Sequence, residues 1–251
     1  MKTLDLNCDL GEGAGHDADL MPLITSANIA CGAHAGDEAT MKATVALALR
    51  HGVAIGAHPG YADRENFGRV ERSLSAGALR ELVTSQIAAL ARFGKLRHVK
   101  PHGALYNQAA RDPGVARVVA VAVREVNPAL VLFALAGSEL ARAGREAGLA
   151  VAEEVFADRS YQRDGSLTPR SAAGALITDE NVAVAQVLRM MREGVVRATD
   201  GTDVAIRADT VCVHGDGPHA VAFARRLNAE LRSAGMNLKS FEPRMGANSR
   251  E

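Results

Sequence analysis

The sequence predicts an α/β fold in which seven parallel strands close into a βα barrel, as a single domain over residues 1–251. Seven short apolar runs recur along the chain, and six of them end in a polar cluster. Such near-continuous apolar strands are typical of a parallel sheet that is covered on both faces. An open sheet gathers its polar groups near one switch point, whereas a barrel gathers all its strand ends at one mouth. The spread of the polar clusters therefore favours the barrel.

The seven expected strands cover residues 3–8, 26–31, 53–56, 98–100, 130–135, 151–156 and 210–213. Between several of them the apolar residues follow helical spacing, as at Met41, Val45 and Ala48. Two segments break the alternation: we expect residues 157–174 to form an ordered loop over the mouth, and residues near 199–209 to form a short hairpin. Two smaller domains would also fit this length, but no linker or internal repeat divides the sequence.

The composition argues against several classes of function. Lys and Arg together number 29, as do Asp and Glu, and the basic residues are scattered. A chain without a basic patch does not attract nucleic acid, and with no Trp it lacks the best stacking platforms for single strands. No stretch is long and apolar enough to span a bilayer, so we expect a soluble, cytoplasmic protein without a membrane partner. The three cysteines form no CxxC pair and are expected to be reduced thiols.

The end of the first strand carries the first candidate site residues. The stretch LDLNCDLGEGAGH, residues 4–16, has alternating glycines that resemble a phosphate-binding loop. A dinucleotide loop needs a third glycine where His16 stands, and neither GxxxxGKS nor GxxxxGKT occurs. The carboxylates of Asp9 and Glu12 remain as the notable groups, and in a barrel they would lie at the catalytic face.

Four histidines stand at the ends of four predicted strands, namely His34, His58, His102 and His214. A single histidine is most often structural, but four in equivalent places form a constellation. Neutral imidazole binds metals and titrates near neutral pH. The four side chains could therefore hold a divalent ion or transfer protons.

Lys100 stands two residues before His102, so on an extended strand both side chains point to the same face. A lysine inside the barrel needs a carboxylate or an anionic ligand, because an unpaired buried charge is costly. Asp9 is the expected structural partner. The functional alternative is that Lys100 polarises a carbonyl or binds phosphate.

Further charged residues lie beyond the last two strands. Asp216 follows His214 at the same two-residue spacing, and the polar loop contains Arg159 and Arg170. Guanidinium groups can clamp a carboxylate or a phosphate in bidentate fashion. Exposed arginines are also common on soluble loops, so both interpretations stay open.

Six motifs together resemble the LamB/YcsF lactam-utilisation family. In chain order they are LNCDLGEG, NIACGAHAGD, GAHPGY, VKPHGALYN, EVFADRSYQRDGSLTPR and CVHGD, spread over nearly the whole chain. The resemblance implies a seven-stranded barrel of the glycoside hydrolase/deacetylase type. It also implies the A subunit of an ATP-dependent 5-oxoprolinase, which acts with subunits B and C. That enzyme opens the lactam of 5-oxo-L-proline to L-glutamate while ATP becomes ADP and phosphate.

With this resemblance we infer roles for the candidate residues. The predicted catalytic residues are Asp9, His34, Lys100, His102 and Asp216. The residues expected to bind substrate or phosphate are Glu12, His214, Arg159 and Arg170. More distant carbohydrate deacetylases of similar barrel type bind a metal with one Asp and two His. Their pattern implies Asp9, His58 and His102 as ligands of a divalent ion such as magnesium, alongside ATP as cosubstrate.

Two alternative functions stay open. The first is a stand-alone metal-dependent amidohydrolase or deacetylase that needs no ATP, which the histidine constellation favours. The second is a non-catalytic scaffold subunit, which fits poorly with the many ionisable groups expected at the mouth.

Overall fold

The structure is a computed structural model that describes residues 2–214 and 219–243. The strands in this part of the chain are β1 (Thr3–Leu10), β2 (Ser26–Ala30), β3 (Ala54–His58), β4 (His98–Val99), β5 (Val131–Leu135), β6 (Ala150–Phe156), β7 (Val195–Arg197), β8 (Asp203–Ala205), β9 (Thr210–Val213) and β10 (Asn237–Leu238). The helices are α1 (Asp17–Leu20), α2 (Glu38–His51), α3 (Ala76–Ala91), α4 (Gly103–Arg111), α5 (Pro113–Val126), α6 (Glu139–Glu146), α7 (Glu180–Glu193) and α8 (Ala220–Ser233). A short 3-10 helix, Met21–Leu23, follows α1.

The predicted barrel is confirmed. Within the described residues, seven strands pair in parallel in the order β1, β2, β3, β4, β5, β6, β9, and β9 pairs back with β1 to close the sheet. The short strand β10 pairs with the amino-terminal end of β1. Because β1 runs on to Leu10 and β3 to His58, Asp9 and His58 belong to the strands themselves. The backbone hydrogen bonds of the sheet therefore hold both residues.

The side chains of β1 that face the barrel interior are polar, although the sequence predicted an apolar run for this strand. Residues at even positions from 4 to 10 belong to the apolar core, whereas Asp5, Asn7 and Asp9 point to the opposite face. Asn7 donates hydrogen bonds to Glu154 Oε1 at 2.9 Å and to Thr210 Oγ1 at 2.7 Å. These bonds join β1 to β6 and β9 across the inside of the barrel.

The helices pack around the barrel, and caps fix where they begin and end. The carboxylate of Asp37 accepts the backbone N–H of Thr40 at 2.8 Å and so begins α2. Gly52 ends the same helix with a left-handed φ of 67°. Among the described residues, no helix combines the length and the apolar composition that crossing a membrane requires.

Two connections complete the mouth of the barrel. Strands β7 and β8 form an antiparallel hairpin from Val195 to Ala205. This hairpin begins before the expected range of 199–209, because Gly194 ends α7 and the chain enters β7 at the next residue. The segment after β6 is held by isolated bridges, among them one between Tyr161 and Leu167. Tyr161 is buried, and its hydroxyl accepts the backbone N–H of Phe156 at 2.8 Å.

Candidate active site

The strand ends open into a cavity of about 920 Å³. The candidate residues that line it are Asp9, Glu12, His58, Lys100, His102, Arg159, Arg170 and His214. His34 lies behind this lining, where its ring contacts Glu12. Asp216 lies outside the described residues. The structure thus brings together side chains that come from β1, from the ends of β3 and β9, and from the connections after β1, β2, β4 and β6.

Glu12 and three histidines form a compact group that we call the histidine cluster: Glu12, His34, His58 and His102. Glu12 Oε1 lies 3.1 Å from His102 Nδ1 and 3.2 Å from His34 Nε2. The same oxygen lies 3.7 Å from His58 Nε2. The rings of His34 and His102 stack with centroids 3.8 Å apart, and His58 meets both edge-on. All three rings are buried.

A glycine makes room for this packing. Gly68 has a φ of +63°, a backbone conformation that side-chain-bearing residues rarely adopt. A Cβ at Gly68 would also lie 2.8 Å from His34 Cβ. The segment between β3 and α3 can therefore close over the cluster only with glycine at this position.

Two backbone carbonyls fix the tautomers of His58 and His102. His58 Nδ1 lies 2.7 Å from the carbonyl oxygen of Lys100, and His102 Nε2 lies 2.8 Å from that of Phe67. A carbonyl oxygen only accepts hydrogen bonds, so both of these nitrogens carry protons. In the neutral rings the remaining nitrogens, His58 Nε2 and His102 Nδ1, then hold lone pairs. These two atoms lie 2.9 Å apart.

Burial and charge set the ionisation of the cluster. Burial lowers the pKa of His34 to about 4 and lowers the pKa of His102 as well. Burial also acts on His58, but the Asp9 carboxylate outweighs it and raises the pKa of that ring. Burial would raise the pKa of Glu12, yet the adjacent rings of His102 and His34 hold it well below its usual range. Glu12 is therefore an anion facing imidazole nitrogens.

Lys100 is buried beside the cavity, between two carboxylates. Its Nζ lies 2.9 Å from Asp9 Oδ1 and 2.9 Å from Glu154 Oε1, and it donates to Cys212 Sγ at 3.0 Å. Burial alone would lower the pKa of Lys100, but these neighbours raise it well above its usual value. Burial would raise the pKa of Asp9, but His58 and Lys100 hold it well below its usual range. The lysine is therefore a permanent buried cation, paired with Asp9 as the sequence indicated.

A polar floor beneath Lys100 was not predicted from the sequence. Asn28 donates to Asp9 Oδ1 at 2.8 Å and to Asn7 Oδ1 at 2.7 Å. His98 Nε2 donates in turn to Asn28 Oδ1 at 2.7 Å. This chain of hydrogen bonds holds the Asp9 carboxylate from below and leaves its other oxygen toward His58.

A second histidine site lies on the other side of the mouth. His214 Nδ1 lies 2.8 Å from Asp158 Oδ2 and 2.9 Å from Oδ1, so this nitrogen is the donor. Burial would raise the pKa of Asp158, but the neighbouring His214 imidazole holds it below its usual value. His214 Nε2 faces the cavity and accepts from Arg170 Nη2 at 3.0 Å. The carboxylate orients the imidazole as in the acid–base pairs of hydrolases.

The two loop arginines differ in their surroundings. Arg159 is buried, and its Nη2 donates to the carbonyl oxygen of Thr168 at 2.6 Å. Its guanidinium thus holds the mouth loop in place while one edge borders the cavity. Arg170 meets the solvent and the cavity beside His214, where an anionic ligand could reach it.

The histidine cluster has the donor set of a metal site. Among the described residues, two groups place their ligand atoms within 4.8 Å of one another: the histidine cluster, and Asp9 with Cys212 and His214. Asp9 had been expected beside His58 and His102, and its Oδ2 lies 3.4 Å from His58 Nε2. Its Oδ1 already accepts hydrogen bonds from Lys100 and Asn28. Glu12, by contrast, contacts all three rings of the cluster.

Known proteins are similar in sequence to this chain over almost its whole length. The LamB/YcsF family matches residues 4–246. The chain belongs to the LamB/YcsF family. The 5-oxoprolinase A subunit of Shouchella clausii is 57% identical over 250 residues, which are 96% of this chain and 99% of that protein. The 5-oxoprolinase A subunit of Brevibacillus brevis is 54% identical over 248 residues, which are 95% of this chain and 98% of that protein.

Two solved structures resemble this chain to different degrees. The lactam utilization protein of Thermus thermophilus superposes with a TM-score of 0.89 at 46% identity, covering 96% of this chain and 100% of its own. A deacetylase solved with its substrate gives a TM-score of 0.50 at 14% identity, covering 96% of this chain and 94% of its own. At that identity the likeness shows the fold alone, which agrees with the predicted deacetylase-like barrel.

Several functional candidates in this LamB/YcsF chain were missed by sequence reasoning. Glu154 lies inside the run that predicted β6, and Asp158 lies in the mouth loop, where it was not given a role. Asn7 and Asn28 lie within β1 and β2. The sequence pattern that could have indicated the three strand residues is alternation, because every second residue of a barrel strand faces the interior.

Proposed function

We propose that this chain is the catalytic component of an ATP-dependent 5-oxoprolinase. It would open the lactam of 5-oxo-L-proline, or pyroglutamate, to L-glutamate while ATP is hydrolysed to ADP and phosphate. The observation that carries this proposal is the 54% to 57% identity, over nearly full length, with proteins named as the A subunits of 5-oxoprolinases. The cavity supports it, because its wall contains a buried cation, a carboxylate and an oriented imidazole.

The chemistry explains why ATP is needed. A lactam amide is stabilised by resonance, so water attacks it slowly. Transfer of the γ-phosphoryl group to the carbonyl oxygen makes the carbon electrophilic, and water can then add. The carbon–nitrogen bond breaks as the nitrogen takes up a proton, which leaves an acyl phosphate. A second water hydrolyses this group to the carboxylate of glutamate and free phosphate.

We assign the buried ion pair to the carbonyl end of the substrate. The ammonium of Lys100 would stabilise negative charge on the carbonyl oxygen, because a fixed charge away from water needs no reorganisation during the reaction. Asp9 holds that ammonium at 2.9 Å and keeps it charged. A divalent metal at the histidine cluster would add Lewis-acid polarisation of the same carbonyl.

We assign proton transfer to His214. Its Nδ1 is held by Asp158, and its Nε2 faces the cavity, so the ring can accept a proton from water and deliver it to the lactam nitrogen. Arg170 lies 3.0 Å from that Nε2 and would pair with the phosphate that forms nearby. Asp216, which lies outside the described residues, stays a predicted catalytic residue.

The proposal includes two partners, subunits B and C, which would supply part of the ATP-binding site. The sequence has no phosphate-binding loop of the GxxxxGKS or GxxxxGKT type. We therefore propose that a partner protein helps to bind ATP near the mouth. A cytoplasmic location remains a prediction.

A reconstitution assay tests this proposal. The purified chain is incubated with 5-oxoproline and ATP, with and without candidate B and C subunits, while glutamate and phosphate are measured. We expect equal amounts of both products, and only in the complete mixture. A His214→Asn variant should lose turnover, whereas His51→Asn, at an exposed position of α2, should keep it. Glutamate formation that does not depend on this chain would contradict the proposal.

The alternative of an ATP-independent amidohydrolase has one observation in its favour, the histidine cluster. A carboxylate with three imidazoles is a donor set that metal hydrolases use. The same assay separates the two functions, because glutamate from the chain alone without ATP would select the alternative.

A further inference from the structure

We propose that the histidine cluster binds one divalent transition-metal ion through Glu12, His34, His58 and His102, and that Asp9 is not a ligand. This inference does not rest on the oxoprolinase proposal. It replaces both the ligand set and the type of ion that the sequence suggested.

The first argument concerns two nitrogen lone pairs, one on His58 and one on His102, that face each other. Each neutral ring donates its single N–H to a backbone carbonyl oxygen: His58 Nδ1 lies 2.7 Å from Lys100 O, and His102 Nε2 lies 2.8 Å from Phe67 O. The remaining nitrogens, His58 Nε2 and His102 Nδ1, therefore direct their lone pairs toward each other, and these two atoms lie 2.9 Å apart. Two lone pairs this close repel each other unless a metal ion or a shared proton lies between them, and the titration below distinguishes these two cations. Hydrogen bonds from ligand histidines to backbone carbonyls are also what holds such rings at metal centres.

The second argument is the position of Glu12. Its Oε1 lies 3.1 Å from His102 Nδ1, 3.7 Å from His58 Nε2 and 3.2 Å from His34 Nε2. One carboxylate oxygen therefore converges with three imidazole nitrogens, and the side chain is 8% exposed. A buried anion of this kind needs a cation close by.

The third argument excludes Asp9 from the ligand set. Its Oδ1 is hydrogen-bonded to Lys100 and Asn28 at 2.9 Å and 2.8 Å. A metal bound to Asp9 would stand beside the ammonium of Lys100, which already neutralises that carboxylate. Asp9 with Cys212 and His214 is the competing group, but Lys100 Nζ also lies 3.0 Å from Cys212 Sγ.

The donor types decide the class of ion. Three imidazoles and one carboxylate suit zinc, cobalt, nickel or iron, whereas magnesium prefers oxygen ligands and retains water. We therefore expect Zn²⁺ or Co²⁺ to bind and Mg²⁺ not to compete at equal concentration.

The ligands should differ in importance. His58 and His102 are each fixed by a carbonyl, whereas the Nδ1 of His34 has no hydrogen-bond partner among the described residues. The ring of His34 is held by stacking on His102. Loss of His34 should therefore weaken binding less than loss of His58.

Metal titration of the intact chain tests the proposal. The protein is treated with a chelator, dialysed, and titrated with Co²⁺, Zn²⁺ or Mg²⁺ by calorimetry and visible absorption. We expect one Co²⁺ per chain with d–d bands that Zn²⁺ abolishes and Mg²⁺ does not. Glu12→Gln and His58→Ala should weaken binding about 100-fold or more, and His34→Ala less. Circular dichroism confirms that each variant is folded.

Three controls complete the experiment. Asp9→Asn should keep the metal, and so should His51→Asn, which changes an exposed histidine of α2. Folded wild-type protein that binds neither Zn²⁺ nor Co²⁺ would refute the proposal, and would leave a shared proton as the cation between His58 and His102. A thiolate-to-cobalt charge-transfer band, or loss of the metal in Asp9→Asn alone, would assign the ion to the Cys212 group instead. Metal binding without glutamate formation would contradict the oxoprolinase proposal only.

Discussion

Replacement of Lys100 by methionine tests the electrostatics of the mouth most directly. Methionine keeps an unbranched apolar side chain as far as the Cε position but removes the ammonium, whose Nζ lies 2.9 Å from both Asp9 and Glu154. Lys100 is 2% exposed and Glu154 is fully buried. Because the two carboxylates would lose their shared cation inside the barrel, the variant should be strongly destabilised.

The magnitude follows from the burial of the pair. Removal of one partner of a buried ion pair costs about 3 to 5 kcal/mol, because the remaining charge has no compensation. We expect the free energy of unfolding to fall by about 4 kcal/mol, since hydrogen bonds from Asn7 and Tyr106 still reach Glu154. If Lys100 has the role proposed above, turnover in the reconstituted enzyme should fall about 100-fold or more, because the charge assigned to the substrate carbonyl is removed.

Urea unfolding, followed by circular dichroism near neutral pH, measures the effect. Lys42→Met, at an exposed position on α2, is the matched control and should change the free energy of unfolding by less than about 0.5 kcal/mol. Adding Glu154→Gln to Lys100→Met should recover about 1 to 3 kcal/mol relative to additivity. A loss below about 1 kcal/mol in Lys100→Met, or strictly additive effects in the double variant, would refute the idea of a buried charge network.

Three further predictions concern the rest of the site. Asp158→Asn should lower kcat about 100-fold with KM little changed, because His214 loses the carboxylate that stabilises its protonated form; unchanged kcat would remove the pair from catalysis. Gly56→Ala should cost about 3 kcal/mol or more in unfolding free energy, because the new Cβ would lie 2.0 Å from His98 Nε2, whereas Gly77→Ala on α3, with open space around it, should be nearly neutral. Burial lowers the pKa of His98 from 6.5 to about 3, so its share of the stability is complete above pH 6.5 and is lost as the pH falls toward 3. Wild-type protein should therefore lose about 2 kcal/mol more than His98→Gln between about pH 7.5 and pH 5 in urea unfolding, and equal losses would contradict a buried neutral ring.

The sequence correctly indicated which side chains meet at the mouth where their position depends on the end of a strand. His58 and His102 come from neighbouring parallel strands, whose carboxyl ends must meet at one edge. The pairing of Lys100 with Asp9 followed from the cost of an unpaired buried charge. Residue spacing alone did not indicate which histidines of one strand segment belong to the histidine cluster. His98 stands only four residues before His102, yet it lies on the barrel floor against Asn28 rather than in the histidine cluster.

The sequence by itself determined the alternation of strands and helices, the family, and which side chains stand at the ends of strands, because these depend on local pattern and order along the chain. Only the tertiary structure decided which of those side chains touch. Closure of β9 against β1 brings Lys100 into contact with Cys212. The segment after β3 presents the carbonyl of Phe67 to His102, which sets its tautomer. Glu12 rather than Asp9 joins the three imidazoles, because ångström-scale distances between strand ends depend on barrel closure and loop packing, which no spacing in the sequence records.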